Sequence, residues 1–347
     1  MTDEPAGDLD GAAPEPPLVG VVMPARDAEE WIEASLGSLQ AQTMERWVCV
    51  VVDDGSLDRT RSIVQALAAT DDRVVLLRQP GRGVAAARNA GLDALPPGCR
   101  YVGFLDSDDL YLPDALAGLV AALERRPDAA AAFGLADYID EAGRLLNPGL
   151  HPSRQRWHRQ LRSGRLVLQE AEEDVTFDSL VVDDPVWPAA VALHRTEAVS
   201  RAGGFDVSFP LLEDWELHLR VARQGPYVAT DQHVALYRRH SSNLTGRHHD
   251  AEFHRARVRR LAWAADEASP RERAAVATAW RLLERRQVLV LGKHVVRSVR
   301  SRRWRSARRA SVGLVVAGVT SLGRRPPAAS LRRTRLTRPD DLLGIPL

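Results

Sequence analysis

The stretch Trp47-Val48-Cys49-Val50-Val51-Val52-Asp53-Asp54-Gly55-Ser56-Leu57-Asp58-Arg59-Thr60 decides the fold. Six apolar residues in a row, four of them valine, make a run of strand length that is rich in β-branched side chains. Such a run is buried on both faces, as in a parallel sheet, and it halts on a turn-forming Asp-Asp-Gly. Upstream, residues 18–23 (LVGVVM) form a second run that stops at Pro24. Between the two, residues 28–42 place Trp31, Ile32, Leu36 and Leu39 at helical spacing, and residues 62–69 repeat that pattern downstream. The order strand, helix, strand, helix predicts an open sheet covered by helices.

The alternation continues with a strand at 74–77, a helix at 84–95 and a strand at 101–105 that ends in Asp106-Ser107-Asp108-Asp109. A helix follows from about Pro113, a residue favoured in the first helical turn. Residues 127–184 are expected to be largely irregular, with a short strand at 129–133 and a basic segment containing His and Trp at 151–165. A strand at 189–194, a turn at Gly203-Gly204-Phe205-Asp206 and a helix at 213–224 come next. In sheets of this kind ligands bind beyond the carboxyl ends of the strands, so the polar clusters at those ends are where chemistry belongs.

The rest of the 347 residues bounds the problem. With 45% hydrophobic residues, the chain can bury one substantial α/β core and an appendage. Residues 1–17 are rich in Asp, Glu, Pro, Gly and Ala, lack the features of a secretory signal, and read as a disordered tail. The apolar segment 312–322 is too short and too interrupted to cross a bilayer. Cys49 and Cys99 form no disulfide framework and read as reduced thiols of a cytoplasmic protein. Residues 1–120 carry 20 Asp/Glu against 9 Arg, whereas residues 281–347 carry 17 Lys/Arg against 3 acids, beneath a net charge of +1. This asymmetry predicts a cation-seeking front and an anion-seeking back. A boundary is placed near residue 245, dividing a domain at 18–245 from an Arg-rich, helical extension at 246–347. There, Ser269-Pro270-Arg271-Glu272 fits a capping box.

Four constellations bear chemistry. Asp53 to Thr60 could contact a base or ribose through its carboxylates, or could be an ordinary turn in which Ser56 or Asp58 caps a helix. Gly81 to Gly91 is a flexible entry to a helix, where Arg88 could neutralise a diphosphate or simply lie on a helix packed through alanines. The mutual repulsion of Asp106, Asp108 and Asp109 would be relieved by a hard divalent cation; the alternative is a solvated loop. Glu213-Asp214-Trp215 opens a helix, where a carboxylate could act as general base against a hydrophobic wall of Trp215, or could only favour the helix dipole. His240 could add a metal contact, though a lone histidine is more often structural.

Taken together and in order, these elements over residues 18–245 resemble glycosyltransferase family 2. The resemblance implies a GT-A type fold, α/β with a mostly parallel sheet flanked by helices, to which the basic α-helical extension is appended. It implies a nucleotide-diphosphate-sugar donor, Mn²⁺ or Mg²⁺ held by a DxD motif, and inversion by direct displacement. By motif, Pro24 and Asp54 would line the nucleoside pocket, with Arg88 beside it or the phosphates. Asp106 and Asp108 would be the DxD pair, Asp214 the catalytic base, and His240 a further metal contact. Glu213 and Trp215 are counted with the substrate-binding residues. Many members carry an aromatic residue and Asn after the first-strand proline, where this chain has Arg26-Asp27, which leaves base selectivity open. The acceptor is expected to be a saccharide or lipid-linked glycan of the cell envelope, with no nucleic-acid partner and with peripheral contact of the basic tail at the inner face of the membrane. The rival readings are a sugar nucleotidyltransferase, which would show a Gly-rich phosphate loop after the first strand, and a non-catalytic nucleotide-sugar-binding protein, which would lack a metal or base carboxylate.

Overall fold

The computed structural model describes residues 16–146, 157–159, 166–168, 173–182, 184–241 and 243, and most of 255–280. In chain order the elements are β1 (Val19–Ala25), α1 (Ile32–Gln40), β2 (Trp47–Asp53), α2 (Thr60–Ala68), β3 (Val74–Arg78), α3 (Val84–Asp93), β4 (Tyr101–Phe104), β5 (Leu110–Tyr111), α4 (Ala115–Arg125), β6 (Ala131–Ile139), β7 (Leu145–Leu146), β8 (Trp157–Arg159), β9 (Leu166–Leu168), α5 (Phe177–Leu180), β10 (Ala192–Arg195), α6 (Thr196–Arg201), α7 (Glu213–Val221) and β11 (Tyr227–Arg238). The main sheet runs β3-β2-β1-β4-β10-β6-β11-β5, with β7 paired to β6, while β8 and β9 pair separately. β3, β2, β1 and β4 are mutually parallel, β10 is antiparallel to both its neighbours, and β11 is parallel to β6.

Every residue of β1 and β2 is buried. Burying a valine side chain contributes roughly 1.5 to 3 kcal/mol, and Val50, Val51 and Val52 supply three such contributions in succession. α1 turns Ile32, Ser35, Leu36 and Leu39 inward. On that face Ser35 Oγ donates to the Ser107 carbonyl at 2.8 Å, so the helix also fixes the acidic loop after β4.

The structure departs from the sequence reading in several places. The helix predicted from residue 28 begins at Ile32, because the amides of Asp27, Ala28 and Glu29 donate to Ser56 Oγ, Thr60 Oγ1 and Asp58 Oδ2. Residues 127–184 are more regular than expected, containing β6 through β9 and α5. Residues 189–191 make a 3-10 turn before β10 begins. The twelve-residue β11 had no counterpart in the sequence reading: its polar centre, Thr230-Asp231-Gln232-His233, hides the apolar alternation, and the pairing with β6 shifts register on either side of His233.

Beyond residue 250 the described segments pack onto the sheet domain. Val258, Ala262, Ala275, Val276 and Ala279 join its core. Arg259 donates to the carbonyls of Val181 and Val182, and Arg271 pairs with Asp178. The expected capping box forms, with Ser269 N bonded to Glu272 Oε2 at 2.7 Å and Glu272 N to Ser269 Oγ at 3.2 Å. Residues 1–15, most of the basic 151–165 segment and the helices expected within 281–347 lie outside the described residues. Cys49 and Cys99 are buried free thiols. Burial pushes both up, Cys99 to about 11. Among the described residues, no helix is long and apolar enough to cross a membrane.

Candidate active site

The first wall of the site forms where β1 and β2 end. Pro24 is buried in β1 opposite Val52, and the Asp54 amide donates to the Ala25 carbonyl at 2.8 Å. Asp54 Oδ1 accepts from the Arg82 amide at 2.7 Å and Gln79 Nε2 at 2.6 Å, while Oδ2 accepts from the Gly83 amide at 2.8 Å. The carboxylate therefore shapes the loop that opens α3. Gly55, at φ +80°, lies so near that loop that a Cβ would sit 3.0 Å from the Gly81 nitrogen.

Arg88, on α3, is the hub of the second wall. Its side chain is 3% exposed, and its two terminal nitrogens reach Asp106 Oδ1 at 2.7 Å and Glu213 Oε1 at 2.6 Å. Burial opposes its charge, but Asp106 and Glu213 outweigh that and hold it protonated. The acidic loop after β4 and the start of α7, more than a hundred residues apart in sequence, are thus joined through one guanidinium. A second clamp runs parallel to it. Asn89 accepts from the Phe205 amide at 2.7 Å and donates to the Phe205 carbonyl at 2.9 Å. Gly204 lets this happen, since a Cβ there would meet Asn89 Oδ1 at 2.6 Å.

The three aspartates of the acidic loop separate into different environments. Asp106 is one-third exposed, and burial outweighs Arg88 to push it above the usual carboxylate range. Asp109 is fully buried; one oxygen accepts from the Arg238 amide at 2.9 Å, and burial, then Asp108 and Asp106, push it well above that range. It anchors β11 to the loop. Asp108 Oδ2 lies 2.8 Å from His240 Nε2. The His240 ring packs 4.2 Å from Trp31, and its amide donates to Asn243 Oδ1 at 2.6 Å. The motif before His240 thus has a structural use for its arginine: Arg238 Nε donates to the Asp108 carbonyl at 2.9 Å.

α7 begins after Leu212, whose φ of +62° is unusual for a branched side chain. Asp214 is half-buried in its first turn. Burial, Glu213 and Asp184 push it up to about 7. One turn on, His218 Nδ1 lies 3.5 Å from Asp184 Oδ1 and its ring stacks on His194 at 5.5 Å. Burial, then His218, lowers His194 to about 3, so His194 is a neutral core residue. Trp215 is 2% exposed and donates its indole N–H to the Leu180 carbonyl at 2.7 Å, which seats it in the core beneath the helix. Sequence reading passed over Asn89, Asp184, His218 and the Trp31–His240 contact. Asn89 lies beside Arg88 in the Gly81–Gly91 segment, and only the tertiary fold brings it and the others to the site.

Among the described residues, no group of three or more His, Cys, Asp and Glu side chains is arranged to hold a metal. The donors present, the Asp108 carboxylate with the His240 imidazole and Asp106 alongside, nevertheless fit a hard divalent ion. Such an ion takes only one or two protein carboxylates and completes its shell with substrate phosphates and water.

Parallel strands ending on an acidic loop, with an acidic helix start tied to that loop, define a GT-A type fold. Residues 20–177 match the model of glycosyl transferase family 2. The UDP-Glc:α-D-GlcNAc-diphosphoundecaprenol β-1,3-glucosyltransferase WfgD of Escherichia coli is 39% identical over 100 residues, 28% of this chain, and the chain spans 38% of WfgD's length. Two solved structures share the fold. TarS 1–349 from S. aureus, in complex with UDP-GlcNAc, has a TM-score of 0.55 and 16% identity over 87% of this chain and 92% of its own. The mannosyltransferase PcManGT from Pyrobaculum calidifontis, in complex with GDP-Man and Mn²⁺, has a TM-score of 0.54 and 18% identity over 90% of this chain and 89% of its own.

Proposed function

We propose that this chain is an inverting glycosyltransferase that moves a sugar from a nucleotide-diphosphate donor to an acceptor hydroxyl in envelope polysaccharide or glycolipid synthesis. The observation that carries this reading is the Arg88 bridge, which sets Asp106 and Glu213 on either side of one guanidinium and so puts the DxD loop beside the Asp214 turn. Residues 18–245 are the catalytic domain in this account. Pro24 and Asp54 shape the nucleoside end, and Asp106 and Asp108 face the diphosphate. Asp214 removes the proton as the acceptor oxygen attacks the anomeric carbon and the carbon–oxygen bond to the diphosphate breaks. One displacement from the face opposite the leaving group inverts that carbon. Mn²⁺ or Mg²⁺ would be held by one or two carboxylates of the Asp106/Asp108 pair, with His240 beside Asp108, and would supply charge stabilisation for the departing diphosphate.

The bound nucleotides of TarS and PcManGT, and the undecaprenyl-linked acceptor in WfgD's name, support the donor class and the envelope acceptor. A sugar nucleotidyltransferase fits less well, because Pro24-Ala25-Arg26-Asp27 is no glycine-rich phosphate loop. A non-catalytic binder would not need Asp214 beside the donor loop. Calorimetry of UDP-glucose, UDP-GlcNAc and GDP-mannose with Mn²⁺, and again with EDTA, tests the reading. At least one donor should bind with Mn²⁺ and lose about tenfold or more in affinity with EDTA or in Asp108→Ala. Unchanged binding under both conditions would remove the metal from the account.

A further inference from the structure

Arg255, Arg257 and Arg259 stand at alternate positions of a helical stretch that the sequence reading places in the appendage. Residues four apart share a helix face, and a residue midway between them points elsewhere. The contacts follow that geometry. Arg259 Nε and Nη2 donate to the carbonyls of Val181 and Val182 at 2.9 and 2.6 Å. The same guanidinium lies 5.1 Å from the centre of the Trp215 ring, and that of Arg255 lies 6.0 Å from it. Arg257 turns to a different segment. Its two terminal nitrogens donate to the Ser208 carbonyl at 2.7 Å and to Ser208 Oγ at 2.6 Å, and its guanidinium sits 4.2 Å over Phe209. Val258, between them in sequence, is 1% exposed and joins the core of the sheet domain.

The segments gripped in this way frame Asp214. Ser208 and Phe209 belong to the stretch that enters α7, which ends on Leu212 at φ +62°, a conformation that a branched side chain keeps only where its surroundings impose it. Val182 stands two residues before Asp184, which faces His218 one turn along α7 from Asp214. Trp215 follows Asp214 directly, and its amide donates to Asp214 Oδ1 at 2.7 Å. One helical stretch therefore holds the chain before the carboxylate, the segment beside it and the ring after it. Bonds from a guanidinium to carbonyls are charge-assisted and stronger than neutral ones, and the Arg259 pair is made at a residue only 4% exposed.

We infer that Arg257 and Arg259 are positioning residues for the base, and that the stretch after residue 250 is a clamp that fixes the entry to α7 and with it the place of the Asp214 carboxylate. This rests on the transferase reading, with Asp214 as its base, and adds the C-terminal stretch to the parts that set the rate.

Turnover by the full chain tests the clamp, read as release of nucleoside diphosphate from the UDP- or GDP-sugar that the unaltered chain turns over fastest with Mn²⁺, beside calorimetry of UDP. Arg257→Ala should lower kcat about tenfold to a hundredfold, the scale on which misplacing a reacting group by about 1 Å acts, while the donor KM and UDP affinity stay within a few-fold. Arg257→Lys, whose ammonium can still bridge the Ser208 carbonyl and hydroxyl, should recover most of that loss. Arg259→Lys repeats the test at the second latch, where one ammonium cannot reproduce the fork across two carbonyls, so kcat should again fall while UDP affinity holds. Arginines that only stabilise the fold would lower the melting temperature and leave the kcat of the folded chain as it was, and that result would overturn the clamp. Hydrogen exchange reads the same latch without turnover: amides of residues 206–217 should exchange faster in Arg257→Ala, and unchanged exchange would also overturn it. Absence of release from every donor by the unaltered chain would instead strike the transferase reading.

Discussion

Asp214, the proposed base, is the residue on which the account joins chemistry to pH. A general base works deprotonated, and this carboxyl is pushed up to about 7 by burial, then by Glu213 and Asp184. Transfer should therefore fall as pH drops through about 7, approaching tenfold per pH unit below it. Asp184→Asn removes one neighbouring negative charge, so the midpoint in a kcat/KM profile should move to lower pH; an unmoved midpoint would separate Asp184 from the base. The stability linkage has the opposite sense. A carboxyl raised in the folded state binds its proton more tightly there than in the unfolded chain, so its contribution is most favourable below its ordinary 3.8 and is lost as pH rises towards 7. Asp214→Asn keeps the shape and deletes the basic oxygen. It should cost on the order of 10² to 10⁴ in kcat with donor affinity little changed, measured by turnover beside calorimetry. Turnover within a few-fold of the original would make Glu213 the next candidate. Arg88 carries a different load. Arg88→Met strands Asp106 and Glu213, and breaking a buried ion pair from one side costs about 3 to 5 kcal/mol. The lower end is expected here because Asp106 is one-third exposed, and denaturant unfolding measures it. A loss below about 1 kcal/mol would show that the bridge does not hold the two walls together.

At the scale of elements, the segment from Asp53 to Thr60 performs the task that the sequence left open between ligand contact and capping. Its side chains accept from the amides of residues 27 to 29, and in return Asp27 Oδ1 accepts from the Leu57 amide at 2.8 Å and Glu29 Oε2 from the Arg59 amide at 3.0 Å. The β1–α1 and β2–α2 turns are therefore stitched into one rigid rim. Gly55→Ala should disturb that rim, because an L side chain resists φ +80° and its Cβ would press on Gly81. The expected loss is more than about 1 kcal/mol in a thermal or denaturant melt. A melt indistinguishable from that of the unaltered chain would show that the loop yields. The helices and buried strands of the first hundred residues were legible because their apolar periods are strong and their lengths differ. β11 was not, since its inward and outward residues are interrupted by a bulge and its pairing with β6 is set by tertiary contacts.

Across the whole molecule, the site is assembled from ends of elements that the sequence identified and from connections that it could not. Asp54, Arg88, Asp106, Asp108, Asp214 and His240 stand out in motifs, but no spacing rule predicts that Arg88 spans Asp106 and Glu213 or that His240 meets Asp108 from the far end of β11. The sequence reads the segment after residue 250 as an appendage, and in its described part Arg259 and core alanines pack onto the sheet domain. The more basic stretch beyond it is a proposed membrane contact, each near-surface charge being worth about 1 kcal/mol at an anionic leaflet. Phosphatidylserine vesicles should sediment the full chain and leave a truncation at residue 296 in the supernatant; equal sedimentation of the two would contradict that contact. The account as a whole stands on transfer from a nucleotide sugar. Its most direct test is the release of nucleoside diphosphate from a panel of UDP- and GDP-sugars by the full chain with Mn²⁺, run beside Asp108→Ala. The account predicts release from at least one donor and its loss in the variant. No release from any donor, or equal release by the variant, would contradict it.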